Sequence, residues 1–140
     1  MLEDQRVYRP RELEARCALI VEEQSWAEAE EVIDAARSFA HEGQLIALPL
    51  HAARLEGHLL QSRGQLAAAR DSLELALAGF VSLNAQWEVA RTELVLAEVL
   101  IGLESVDEAA SRLEHAKATF ARLRVPRELA HARTLLDSLR

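Results

Sequence analysis

The sequence predicts an all-α chain of stacked helical hairpins, about three of them, completed by a C-terminal closing helix. Three observations predict it. The 140 residues are half apolar and rich in Ala, Leu, Glu and Arg, with only 5 Gly and 3 Pro. These are strong helix formers, and so little Gly and Pro leaves few residues for turns. Helix-start and helix-stop residues recur at regular intervals. Shifting the chain by 40 residues brings small residues onto small and large apolar residues onto large.

The elements follow in order from the punctuation. Pro10, Pro49 and Pro126 suit the first turns of helices, where a missing N–H costs nothing. Gly43 and Asn84 suit helix ends, where a left-handed residue stops the run. Ser25-Trp-Ala-Glu28 and Ser105-Val-Asp-Glu108 read as capping boxes. Helices are expected near 10–23, 26–42, 46–63, 66–83, 86–103, 106–123 and 126–139. They form one domain over 10–140, with repeats at about 10–43, 46–84 and 86–124 and a closing helix at 126–139. Residues 1–9 are left as an N-terminal extension.

The 40-residue register supplies the core. Cys17, Gly57 and Ala97 align as small residues, as do Ala29, Ala69 and Ala109, and then Ala36, Ala76 and Ala116. Large residues align as Ile20, Leu60 and Leu100, as Trp26, Leu66 and Val106, and as Ile33, Leu73 and Leu113. Phe80 matches Phe120 and Leu83 matches Leu123. A small residue lets two helix backbones approach, and the large residue a turn away fills the space beside the contact. One hairpin cannot bury its apolar face alone, whereas stacked hairpins can.

On these residues the chain resembles the tetratricopeptide repeat. Gly57-x2-Leu60, Gly64-x-Leu66-x2-Ala69-x3-Leu73-x2-Ala76 carries the resemblance. Ala97-x2-Leu100, Val106-x2-Ala109-x3-Leu113-x2-Ala116 repeats it, and Cys17-x2-Ile20, Trp26-x2-Ala29-x3-Ile33-x2-Ala36 is a looser copy. The period of 40 exceeds the usual 34, and the opening Trp-x2-Leu and the closing proline are absent. The chain is therefore similar to the long repeats of bacterial signalling ATPases, maltose-activator-type regulators and cyclase-associated proteins. The resemblance implies a right-handed superhelical solenoid whose first helices line a concave groove.

Charge and motifs narrow the function. A net charge of −7 is a poor footprint for nucleic acid. No apolar run approaches a membrane span; the longest are broken by His51, Glu93 and Glu98. The single Cys17 excludes an internal disulfide, and a reducing cytoplasm is the expected setting. Phosphate-loop, serine-hydrolase and zinc-protease patterns are missing. Glu22-Glu23 and Glu30-Glu31 point to different helix faces. His51 and His58 stand seven residues apart, about 10 Å along a helix, too far for one metal. No catalysis, metal or cofactor is expected.

One column of charge repeats: Arg11, His51, Arg91 and His131. By the resemblance it lies along the groove, and Arg54 and His58 widen it. Two readings compete. Either the column is a cationic partner site that gains charge at its histidines as pH falls, or it pairs with Glu14, Glu88, Glu98 or Glu128. The expected function is a scaffold that binds a peptide or helix, an acidic one if the column is free. The alternative is a sensory or regulatory segment that docks on other domains of a larger bacterial signalling or transcription-regulating protein. Leu129, Leu135, Leu136 and Leu139 of the closing helix leave room for a homodimer.

Overall fold

The computed structural model describes residues 2–43 and 45–139, with side chains for 10–41 and 45–139. Met1 of the expected extension and Arg140 lie outside the described residues. Among the described residues seven α-helices follow one another: α1 (Leu2–Glu23), α2 (Ala29–Gly43), α3 (Ala47–Ser62), α4 (Leu66–Ser82), α5 (Gln86–Gly102), α6 (Val106–Leu123) and α7 (Pro126–Ser138). A single 3-10 turn, Trp26–Glu28, precedes α2. No strand occurs among the described residues, and no helix there is long and apolar enough to cross a membrane.

The helix ends share one chemistry. Gln24, Gly64, Asn84, Glu104 and Arg124, forty and then twenty residues apart, have positive φ. The next residue donates its N–H to the carbonyl five back: Ser25 to Ile20, Gln65 to Leu60, Ala85 to Phe80, Ser105 to Leu100 and Val125 to Phe120. The left-handed residue itself donates three back, as Gly64 does to Gln61 and Glu104 to Ile101. This pair of bonds satisfies the last carbonyls of these five helices. Only one of the five positions is glycine; of these stops, Asn84 alone was read from its residue type.

Two start signals are corrected. Neither Ser25 nor Ser105 caps through its side chain. A capping box needs the serine N–H free for the returning glutamate. Here that N–H is already donated to Ile20 or Leu100 at the end of the preceding helix. Pro10 lies inside α1, not in its first turn. It removes one donor from the helix, and the helix formers before it continue the run back to Leu2.

Connections this short force neighbouring helices to run antiparallel. A Cβ on Gly57 would meet Leu73 at 2.5 Å, and one on Gly79 would meet Leu50. These crossings pair the middle of α3 with the middle of α4 and the start of α3 with the end of α4. Each helix packs on the next, and α1–α3, α3–α5 and α5–α7 also touch. Arg54 reaches Glu88 and Thr92, so α3 and α5 lie side by side in the odd-numbered layer.

The size columns are buried. Ala29, Ala69, Ala109, Ala36, Ala76 and Ala116 are fully inaccessible, as is Ala97; Cys17 and Gly57 are buried beside them. Ile33, Leu73 and Leu113 fill the adjoining space. Leu83, Leu123 and Val106 are exposed, because they fall at or next to helix ends, where the packed stripe stops. The core divides into two clusters, one from α1 to α3 and one from α3 to α7. Helix α5 is buried on nearly every side, and Thr92 and Glu93 go in with it. Glu93 meets His115 at 2.5 Å and Arg112 at 3.6 Å, both from α6.

Candidate functional site

Four of the six residues singled out in the charge column converge. Arg54 and His58 of α3, Arg91 of α5 and His131 of α7 line one cavity of about 380 Å³ between the odd-numbered helices. Trp26, Gln61, Leu94, Val95, Glu98 and Glu128 also line it, together with the exposed Glu22 and Arg127. Arg11 is exposed on α1 outside this cavity. His51 lies behind it, with its ring edge-on to Phe80 at 5.2 Å and Nδ1 3.4 Å from the Arg54 Nη2.

Arg54 is a buried structural cation. Its Nη2 sits 2.5 Å from Glu88 Oε2, an ion pair without hydrogen-bond alignment, which leaves that oxygen held by charge alone. Nη1 donates to the Thr92 hydroxyl at 3.2 Å and the Glu88 carbonyl at 3.3 Å. The guanidinium stacks 5.0 Å above the Phe80 ring. With planar donors spread over α5 and an aromatic face from α4, the residue ties α3, α4 and α5 together.

Arg91 is held differently. It stacks 5.4 Å from the Trp87 ring and reaches Glu88 only at 3.9 Å. Glu88 is already taken by Arg54, so the Arg91 donors remain available to the cavity. His131 Nε2 stands 3.6 Å from Glu98 Oε2. Burial pushes the Glu98 carboxyl above the usual carboxylate range, partly offset by His131 and Gln61. Two of the glutamates weighed as counter-ions, Glu88 and Glu98, therefore take that role.

For His51 and His58 the expected pH response is corrected. Burial, with the Arg54 and Arg91 cations, lowers His58 to about 3. Burial and Arg54 lower His51 to about 4, although Glu88 pulls it the other way. Both rings are neutral at physiological pH and gain no charge on mild acidification. His58 instead offers one N–H donor and one acceptor nitrogen, with Trp26 nearly parallel to it at 6.5 Å.

The rim is bridged. Arg127 Nη2 donates to both Glu22 oxygens at 2.8 and 2.9 Å, linking α7 to α1 across 105 residues of chain. No sequence signal marked Glu22, Arg127 or Gln61 as partners of the column. Trp26 was read as a packing residue and serves as a cavity wall. Glu98 was foreshadowed, as a charge interrupting an apolar run.

The buried Cys17 thiol is pushed up to about 11, mainly by burial, and stays protonated. Among the described residues no three His, Cys, Asp or Glu side chains come together as a metal site. Comparison of the chain with protein-family models, with curated proteins and with solved structures gives no match in any of the three.

Proposed function

We propose that the chain is a tetratricopeptide-like solenoid of right-handed twist, a non-catalytic module that binds a segment of a partner protein at its odd-helix face. The convergence of Arg54, His58, Arg91 and His131 from three odd helices on one concavity carries the reading. The twenty-residue turn spacing and the buried 40-residue columns support the repeat. Binding would use shape and charge complementarity on a preformed surface, in the cytoplasm.

Arg91 is the residue to test, because Arg54 is committed to the fold. The chain serves as bait in a cross-linking capture, as wild type and as Arg91→Ala with His131→Ala. Cross-links to α3, α5 and α7 that vanish in the variant are expected. Capture at equal strength, or cross-links confined to α2, α4 and α6, would overturn the assignment of the face.

The bridged rim favours a second reading, a regulatory segment of a larger signalling or transcription-regulating protein. A cavity with the Glu22–Arg127 pair among its lining residues suits a small effector as well as a peptide segment.

A further inference from the structure

The cavity walls carry three arginines, Arg54, Arg91 and Arg127, and three glutamates, Glu22, Glu98 and Glu128. Internal pairing uses most of them. Arg127 holds Glu22, and Arg54 holds Glu88 from behind the wall. Arg91 keeps free donors, and Glu98, with only His131 3.6 Å away as a neighbouring base, lines the same cavity. These two share helix α5 and are seven residues apart, about 10 Å along the axis. Leu94 and Val95 lie between them, three and four residues on from Arg91, so cation, apolar patch and carboxylate follow one another on a single helix face. Arg91 and His58 make no hydrogen bond among the described residues, and both line the cavity.

We propose that this cavity binds a small zwitterion: a molecule with a carboxylate for Arg91 and His58, a short apolar spacer over Leu94 and Val95, and an ammonium group for Glu98. The charge balance selects this class. A multiply charged anion would face Glu22, Glu98 and Glu128, and a multiply charged cation would face the three arginines. Only a ligand bearing one charge of each sign finds a complement for both. The volume, about 380 Å³, is near the lower end of small-molecule pockets. The rim bridge is an exposed pair, weak enough to yield to a bound ligand. The inference needs the cavity alone and holds whether or not a protein partner binds.

The test is calorimetry on the full chain with ε-aminocaproate, caproate and hexylamine as probes, and with a capped peptide carrying one Lys and one Glu. Saturable binding of ε-aminocaproate is expected, with caproate and hexylamine each weaker by about tenfold or more, as loss of one charged hydrogen-bonded contact implies. Arg91→Met and Glu98→Gln should each remove a similar factor. Arg91→Met should also abolish the preference over hexylamine, and Glu98→Gln the preference over caproate. Wild-type heats that do not distinguish the zwitterion from its two halves would overturn the proposal without any variant. So would binding of the peptide alone, or no binding of any probe. Partner capture by cross-linking is a separate readout, so the two ideas fail independently.

Discussion

Arg54 shows how one side chain is decided between function and structure. The sequence places it beside the repeating column, on the face of a first helix. Its surroundings commit it elsewhere, to Glu88, Thr92 and Phe80. Arg54→Ala would leave the Glu88 carboxylate without its counter-ion, and breaking a buried pair costs about 3–5 kcal/mol. Glu88 is partly open to solvent, so a loss near 3 kcal/mol is expected in urea unfolding at neutral pH. An unchanged midpoint would refute this role. His51 and His58 supply a second prediction. Their unfolded values lie near 6.5 and their folded values near 4 and 3. The unfolded chain therefore takes up protons first, and stability is full above pH 6.5 and falls as pH drops toward 4. Each histidine contributes a slope of up to about 1.4 kcal/mol per pH unit. The raised Glu14 and Glu98 carboxyls oppose this, since the folded chain holds their protons more tightly. Urea titrations between pH 7 and 4.5 should therefore show a shallower acid-side slope for His58→Gln than for wild type.

At the scale of elements, two glycines separate packing from conformation. Gly57 lies where α3 crosses α4, and an added Cβ would stand 2.5 Å from the fully buried Leu73. Gly57→Leu, like Ala97→Leu in the next repeat, should cost about 1–3 kcal/mol through overpacking. Gly64 has open space around it but a φ of +74°. Gly64→Ala should cost about 1 kcal/mol from left-handed strain, with no change in the helix spacing that fluorescence transfer or a crystal structure would measure. A thermal melt indifferent to both the Gly57 and Ala97 changes would remove the packing column from the account. The tolerance of Gln24, Glu104 and Arg124 at equivalent turns shows that each hairpin accepts this strain because the paired bonds to the preceding helix repay it.

For the whole molecule, the bridge between Glu22 and Arg127 joins the first helix to the last. Both side chains are exposed, so Arg127→Ala should change stability by less than about 1 kcal/mol. It should nevertheless speed amide exchange at the ends of α1 and α7 and widen the cavity entrance. Hydrogen exchange that leaves those two segments unchanged would show that packing alone sets the rim. The closing helix turns its apolar residues inward. Leu136 is buried, and Leu129, Leu135 and Leu139 pack against the core. Arg133, Thr134 and Asp137 face solvent. A polar outer face is what the end of a stack requires, and it weakens the apolar argument for a dimer through this helix.

Helix number, helix position apart from the start of α1, and the buried columns were legible in the chain itself. They follow from local propensity and from a repeat in which each residue's neighbours lie within about 40 positions. The turn at Asn84 and the start at Pro126 were read from single residues for the same reason, because a left-handed stop and a missing N–H act locally. The fate of the charges was decided by tertiary structure. Ionisation depends on burial and on nearby charges: His58 is neutral because it is buried, with Arg54 and Arg91 beside it, and Arg91 is open because Arg54 took Glu88. The capping boxes failed for a related reason, since the serine amides were already spent on the preceding helix. The rim pair, 105 residues apart, lies beyond any periodicity. A repeat encodes contacts between neighbours; closure of the first helix on the last depends on the accumulated geometry of every turn between them.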